Sequence, residues 1–248
     1  MKNPNGPYPG RQLFLGMTVE GKPAFIYLVT GRSAASRERK ATPQGDSIIM
    51  GPIDNTPYDW LRHYMVTKVD NAIGLMTVTN GIQTEAIFEM YKLLYHTRHQ
   101  PDIKFIKQIM DGADYEPDSL STPRISGVIM DPPGKTEPVY YAGIVTNGKP
   151  AAAWDIKPNA GHFYGVSTYQ GDIENPAAFQ IEKGLSQLET PAKNAKDLTS
   201  FLYDTSSTIY KGDDIRVCAV GGVREGTKWT TALINMHDGY GCRIVGVG

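Results

Sequence analysis

The order of strand-like and helix-like segments constrains the fold of this chain more than any other feature of its sequence. Strand-like runs come first, two amphipathic helices follow, strands return, and one further helix precedes the last strands. Apolar and β-branched runs predict strands over residues 11–19, 23–30, 47–53, 64–70, 72–79, 125–130, 139–146, 150–156, 163–169, 215–220 and 228–234. Apolar residues at helical spacing predict helices over residues 82–94, 103–110 and 198–209. This grouping is typical of an α+β domain rather than of a parallel βαβ series.

Short turns between neighbouring strands indicate antiparallel sheets. Residues 20–22 join the first two strands, and Asn147-Gly148 is a strong hairpin signal between the strands at 139–146 and 150–156. The polar stretch at 31–46 exceeds the usual connection length, so we interpret it as a functional or mobile loop. We therefore predict a single domain over residues 1–248, with helices covering two antiparallel sheets in a four-layer αββα sandwich.

Charge balance and the distribution of apolar residues exclude several classes of function. Lys and Arg total 25 against 26 Asp and Glu, so the chain lacks the basic excess of nucleic-acid-binding proteins. No apolar run reaches the roughly 18 residues that span a bilayer, and the N-terminal residues lack a signal-peptide core. Cys218 and Cys242 have no ligand-spaced neighbours, and His96 and His99 have no carboxylate cluster beside them. We expect a cytoplasmic protein with reduced cysteines, no metal and no membrane partner.

The stretch from Gly31 to Arg37, directly after a strand, has the composition of a phosphate-binding turn. Arg32 and Arg37 offer guanidinium groups for bidentate bonds to phosphate oxygens, and Ser33 adds a hydroxyl. Gly31 allows backbone N–H groups to approach an anion. The same residues also fit a solvated loop, and composition alone does not separate the two interpretations.

Three further polar clusters lie at strand ends. Asn80 and Gly81, with Thr84 after them, stand between a strand and a helix, where they suit either anion binding or simple N-capping. Pro123 stiffens the approach to Arg124, which either faces a ligand or pairs with a nearby Asp. The third cluster is Ser167-Thr168-Tyr169, which also fits an ordinary strand end.

Taken in order, these motifs resemble the archaeal-type inosine monophosphate (IMP) cyclohydrolase family. The shared landmarks are Tyr8-Pro9-Gly10-Arg11, Gly31-Arg32-Ser33 with Arg37, Asn80-Gly81 with Thr84, the 114–116 run Asp-Tyr-Glu, Thr122-Pro123-Arg124-Ile125 and Ser167-Thr168-Tyr169. The resemblance is good from residue 8 to residue 130 and weaker from there to residue 169. No motif supports it after residue 169. Ser36 departs from the pattern, since asparagine is expected there.

The resemblance implies a fold similar to the N-terminal nucleophile hydrolases but without their terminal nucleophile, and no Cys, Ser or Thr follows Met1. It implies closure of 5-formamidoimidazole-4-carboxamide ribonucleotide (FAICAR) to IMP with loss of water, the last step of de novo purine biosynthesis. That reaction requires no metal or redox cofactor. The ligand is thus a small ribonucleotide, while the oligomeric state, including a homo-oligomer, stays open.

The resemblance also assigns roles to residues. Phosphate and substrate binding are expected of Arg11, Arg32, Ser33, Arg37, Gly81, Thr84 and Thr122. Asn80 and Arg124 are expected to polarise the formyl oxygen or hold the base, and the proton-transfer candidates are Tyr58, Glu85, Asp118 and Tyr169. A non-catalytic purine-nucleotide sensor on the same fold is the alternative that Ser36 keeps open. A different amide hydrolase is disfavoured by the missing nucleophile.

Overall fold

The structure, a computed structural model, describes residues 3–246. Within this range the helices α1 to α4 are Ala34–Arg37, Gln83–His96, Ile103–Ala113 and Ala195–Thr205, and short 3₁₀ helices cover Ile181–Lys183 and Met236–Asp238. The strands β1 to β18 are Arg11–Met17, Pro23–Thr30, Arg39–Gln44, Ser47–Pro52, Tyr64–Asp70, Leu75–Thr79, Arg124–Met130, Val139–Val145, Ala152–Ile156, His162–Ser167, Tyr169–Gln170, Ala177–Ala178, Ser186–Glu189, Ile209–Tyr210, Asp213–Asp214, Arg216–Glu225, Lys228–Asn235 and Arg243–Val245.

Most of the strands belong to two seven-stranded sheets. The first sheet has the order β13-β10-β1-β2-β16-β17-β18, and the second has the order β3-β4-β5-β6-β7-β8-β9. Every neighbouring pair in both sheets is antiparallel, as the turn signals predict. The α+β class predicted from the sequence is therefore confirmed.

Both faces of the first sheet are buried. Along β1, Leu13 and Leu15 belong to an apolar cluster shared with the second sheet, whereas Phe14 belongs to a cluster with α4. Because successive strand residues point to opposite faces, this alternation places apolar side chains on each side of the sheet. The unbroken apolar run at β1 and β2 follows from burial on two faces.

The helix pair predicted from periodicity packs on the second sheet. Ile87 and Tyr91 of α2 and Ile106 of α3 form one apolar cluster with strand residues such as Val128 and Met130. Asp102 caps α3 by accepting a hydrogen bond from the backbone N–H of Lys104. Within residues 3–246, no helix is long and apolar enough to cross a membrane.

Two local predictions are wrong. The stretch at 31–46 is not a continuous loop, because it contains the helical turn α1 and the strand β3, which pairs with β4. The polar composition of β3 conceals it, since β3 lies at the edge of its sheet. The last helix ends at Thr205, and Ile209 belongs to the ribbon of β14 and β15 instead.

Candidate active site

A cavity of about 390 Å³ opens where β1, β2 and β3 meet the loop before β5 and the loop before β7. This volume is within the range of small-ligand sites. The lining residues that carry polar or charged side chains are Tyr8, Arg11, Thr30, Arg32, Ser33, Ser36, Arg39, Asp59, Arg62, Glu116, Asp118, Ser119, Thr122 and Tyr169. Six of the residues predicted from the sequence are among them: Arg11, Arg32, Ser33, Asp118, Thr122 and Tyr169.

Glu116 is the buried carboxylate in the wall of this cavity, with 1% of its surface exposed. Its Oε2 accepts a hydrogen bond from Arg11 Nη2 at 3.1 Å, and its Oε1 accepts one from Asn80 Nδ2 at 3.2 Å. Arg124 Nη1 lies 3.9 Å from the same Oε1. Two cations and one amide therefore fix the position of this carboxylate.

Opposing influences set the pKa of Glu116. Burial raises the pKa of the carboxyl above its usual value, while the nearby charges of Arg11 and Arg124 act to lower it. The pKa of this group is therefore higher than that of an exposed glutamate. A positioned carboxyl of this kind is suited to proton transfer.

Asp118, Thr122 and Tyr169 form a hydrogen-bonded chain in the same wall. The Thr122 hydroxyl donates to Asp118 Oδ2 and also contacts the Tyr169 hydroxyl. Burial raises the pKa of Tyr169, so its phenol stays protonated and donates to Thr122. The Tyr169 ring stacks on Tyr8 with 5.7 Å between ring centroids. A lone pair on the phenol oxygen remains to accept a hydrogen bond from a ligand.

The turn around α1 brings Arg32 and Ser33 to the mouth of the cavity. Arg32 Nη1 donates to the carbonyl oxygens of Ile173 and Glu174, each at 2.9 Å. The Ser33 hydroxyl accepts a hydrogen bond from the backbone N–H of Ser36, whose own hydroxyl accepts one from the N–H of Ser33. Ser36, the departure from the family pattern, therefore shapes this turn.

Asn80 does not cap α2. N-capping, the simpler of the two interpretations of its position, is therefore wrong. The N-cap is Ile82, which makes no side-chain capping bond. The Asn80 amide donates to Glu116 and to the carbonyl oxygen of Pro123, and its Oδ1 accepts from the N–H of Ile125. Asn80 thus joins the end of β6 to the loop that carries Glu116.

Arg124 does not line the cavity, but its guanidinium lies beside Glu116, which does. The partner of Arg124 is Glu116, so the alternative of an ion pair with Asp118 or Asp114 is wrong. The Thr84 hydroxyl donates to the carbonyl oxygen of Met65 at 2.6 Å. Thr84 is buried and does not line the cavity.

Gly81 makes room for Arg124. A Cβ on Gly81 would overlap Arg124 Nη1 and lie 2.8 Å from Gln83 Oε1. We expect Gly81→Ala to lower the free energy of unfolding by about 1–3 kcal/mol, because a buried guanidinium must move. Urea denaturation measures the loss. Gly112→Ala in α3 is the control, since nothing lies within 4 Å of its Cβ, and equal stabilities of the two variants would contradict the expected overlap.

Three predicted site residues lie elsewhere. The Arg37 guanidinium pairs with Asp213 and donates to the Gly31 carbonyl oxygen. Tyr58 is 72% exposed, and Glu85 lies on the surface of α2, 3.7 Å from Lys68 Nζ. None of the three lines the cavity.

Four charged residues of the cavity were not predicted from the sequence: Arg39, Asp59, Arg62 and Glu116. Glu116 belongs to the Asp-Tyr-Glu run at 114–116, but nothing in that run shows which carboxylate is buried. Arg39 follows Arg37 and Glu38 in a charge-rich stretch that resembles a solvated loop. In residues 3–246, no group of three or more His, Cys, Asp or Glu residues is arranged to hold a metal ion.

Comparison with known proteins gives consistent matches. The sequence model of the IMP cyclohydrolase-like protein family matches residues 8–228. The IMP cyclohydrolase of Methanococcus maripaludis strain S2 is 27% identical over 222 residues, which cover 86% of this chain and all of that protein. The IMP cyclohydrolase of Methanococcus aeolicus is 29% identical over 198 residues, covering 79% of this chain and 88% of the relative.

A third relative, the IMP cyclohydrolase of Thermococcus kodakarensis, is 30% identical over 123 residues. That alignment covers 50% of this chain and 56% of the relative. The family match extends well beyond residue 169, where the recognisable motifs end, and so includes α4 and β16. With most of its length matched, the chain belongs to the IMP cyclohydrolase-like family.

Proposed function

We propose that this protein is an IMP cyclohydrolase that closes FAICAR to IMP and releases water. The observation that carries the proposal is Glu116, a buried carboxylate held by Arg11 and Asn80 in the wall of a small cavity. The family match and the names of the relatives agree with this activity. The carboxylate, the arginines and the cavity together offer proton transfer beside a site for an anionic ligand.

The reaction needs accurate positioning and proton transfer more than a strong nucleophile. The carboxamide nitrogen attacks the formyl carbon, forming a C–N bond as the formyl oxygen takes a proton and becomes a hydroxyl. The C–O bond then breaks, the hydroxyl leaves as water with a second proton, and the ring gains its C=N bond as the former formamido nitrogen loses hydrogen. Because both groups belong to one molecule, holding them in contact supplies several kcal/mol of the barrier.

We assign the proton transfers to Glu116. Its carboxylate first accepts a proton from the attacking carboxamide nitrogen and gives it to the formyl oxygen. It then accepts the proton of the former formamido nitrogen and gives it to the departing hydroxyl, so one group serves both steps. Arg124 and Asn80 are positioning residues, because they contact Glu116 and do not line the cavity. Tyr169 is assigned to orienting the ligand through its free lone pair. We assign no step to Tyr58 or Glu85.

Arg32 and Ser33 are assigned to the phosphate at the cavity mouth. Charge-assisted hydrogen bonds contribute about 1.5–3 kcal/mol each, so the loss of Arg32 should weaken binding more than tenfold. We expect Arg32→Ala to raise the Kd for IMP accordingly in calorimetric titration. An unchanged Kd would remove Arg32 from the phosphate site. Arg98→Ala, in the exposed turn that follows α2, is the control.

For the fold, we propose one domain with a four-layer αββα arrangement similar to that of the N-terminal nucleophile hydrolases. Support comes from three of the apolar clusters: one combines both sheets, one joins the first sheet to α4, and one joins the second sheet to α2 and α3. A sheet buried on both faces requires a layer on each side. Single-step unfolding seen by several probes is the expected behaviour of one domain.

The activity is tested by incubating purified protein with FAICAR and by measuring the binding of IMP. FAICAR should be consumed and IMP formed, with ring closure visible as a change in ultraviolet absorption. If IMP binds while FAICAR is converted no faster than in buffer, the protein is a nucleotide sensor and the enzymatic proposal fails. If neither nucleotide binds, the ribonucleotide site itself is wrong.

A further inference from the structure

Arg39, at the start of β3, is a buried arginine in the cavity lining, with 2% of its surface exposed. Its Nη1 donates to the carbonyl oxygen of Arg62 across a long 3.4 Å contact. Its Nε is buried without a hydrogen-bond partner. Among residues 3–246, no Asp or Glu side chain forms an ion pair with this guanidinium.

The carboxylates of the cavity already have other partners. Asp59 Oδ2 pairs with Arg62 Nε at 2.7 Å, and both oxygens of Glu116 accept hydrogen bonds from Arg11 and Asn80. Asp118 accepts from the backbone N–H groups of Leu120 and Thr122 and from the Thr122 hydroxyl. Arg39 therefore keeps a positive charge that the cavity does not neutralise.

The other groups around Arg39 do not supply a negative charge either. Burial raises the pKa of the Cys218 thiol to about 12 and raises the pKa of Tyr27 well above its usual value, so both stay neutral. The hydroxyl groups of Tyr27 and Tyr64 hydrogen-bond to each other at 2.8 Å. Arg11, also nearby, is a like charge. A buried cation in such surroundings is costly unless a ligand pairs with it.

The ligand of the proposed reaction has one group that meets this need. FAICAR and IMP each carry their negative charge at neutral pH on the phosphate, which has several oxygens for a planar guanidinium. Arg32, Ser33 and Ser36 line the same cavity and present further donors from the α1 turn. Arg32, like Arg39, forms no ion pair with a carboxylate of residues 3–246.

We propose that Arg39, together with Arg32, binds the phosphate of the ribonucleotide, in the role that the sequence pattern gives to Arg37. This assignment rests on the proposed function for the choice of ligand. It explains why a buried arginine stays without a carboxylate partner. It also accounts for Arg37, whose guanidinium pairs with Asp213 and does not line the cavity.

A comparison with Arg224 separates a ligand-binding role from a structural one. Arg224 is also buried, but it pairs with Asp131 at 2.7 Å and donates to the carbonyl oxygen of Gly74. Removing a paired buried arginine leaves a carboxylate without its partner and lowers stability. Removing the unpaired Arg39 abolishes an uncompensated charge, so the free protein should not become less stable.

The experiment measures the binding of IMP and of inosine, which lacks the phosphate, to Arg39→Met, Arg39→Gln and Arg224→Met. For both Arg39 variants we expect a more than tenfold loss of IMP affinity and an unchanged inosine affinity. The melting temperature without ligand should be equal to or above that of the wild type for Arg39→Met, and lower for Arg224→Met. IMP affinity of Arg224→Met should match that of the wild type.

Other results overturn the assignment. Equal losses for IMP and inosine would place Arg39 at the base or ribose, and unchanged IMP affinity would remove it from the site. An Arg39→Met protein that melts lower or does not fold would show that Arg39 supports the fold itself. Wild-type protein that binds neither ligand would contradict the ribonucleotide site. Protein that binds IMP through Arg39 but leaves FAICAR unchanged keeps this assignment and loses only the proposed reaction.

Discussion

Replacing Glu116 with glutamine is expected to slow FAICAR closure by about 10²- to 10⁴-fold, the usual contribution of a positioned acid or base. Glutamine has nearly the same shape and keeps an oxygen for Arg11 or Asn80, but it does not take a proton at neutral pH. IMP affinity should change little, because the phosphate is bound at other residues. Steady-state rates and calorimetric titration of the same preparation measure both quantities.

Glu89→Gln is the matched control for this substitution. Glu89 is an exposed carboxylate on α2 that pairs with Lys68 at 3.3 Å, so its loss should leave turnover unchanged. If Glu116→Gln closes FAICAR as fast as the wild type, Glu116 is not the proton-transfer group. If it loses turnover and IMP affinity in equal measure, Glu116 shapes the site without taking part in the reaction.

Replacing Arg124 with alanine is expected to change the pH dependence of the rate of FAICAR closure. In the proposed mechanism ring closure requires ionised Glu116, so the wild-type rate should fall as the pH decreases through the raised pKa of this carboxyl. A positive charge nearby lowers a carboxyl pKa, so removing Arg124 raises the pKa of Glu116 further. The acid limb should therefore move to higher pH, and the rate on that limb should be lower than that of the wild type at the same pH.

Arg124→Lys provides the conservative comparison, since it keeps the charge and loses the planar guanidinium. The acid limb of the pH–rate profile of Arg124→Lys should therefore lie closer to the wild-type limb than the limb of Arg124→Ala does. A profile of unchanged shape in Arg124→Ala, with only a lower maximum rate, would mean that Arg124 does not act through the ionisation of Glu116.

Periodicity predicts the regular elements well because local burial decides them. The helix at Gln83–His96 and the strands Pro23–Thr30 and Tyr64–Asp70 follow directly from apolar spacing and turn residues. The strand Arg39–Gln44 escapes prediction because it is polar and lies at a sheet edge, where little apolar burial is needed. The central position of β16 in the first sheet depends on long-range pairing with β2 that no local pattern records.

In the candidate site, too, local sequence predicts some residues, whereas the positions of others depend on contacts with distant parts of the chain. Arg32 and Ser33 are recognisable because the turn that carries them has a local composition suited to anions. Whether Arg37 faces the cavity depends on Asp213, which is 176 positions away in the chain. The burial of Glu116 depends likewise on Arg11, 105 positions away. Such contacts form only when distant strands pair, so composition does not reveal them.

The proposed protein closes the ring of a ribonucleotide that it holds by the phosphate, and a comparison of the rates for two substrates tests both properties. Purified protein is incubated with FAICAR and, separately, with the corresponding nucleoside, and substrate and product are quantified by chromatography. We expect many turnovers per protein with one IMP formed for each FAICAR consumed, and a much lower kcat/KM for the nucleoside. FAICAR that closes no faster than in buffer, or a nucleoside that closes equally well, would contradict it.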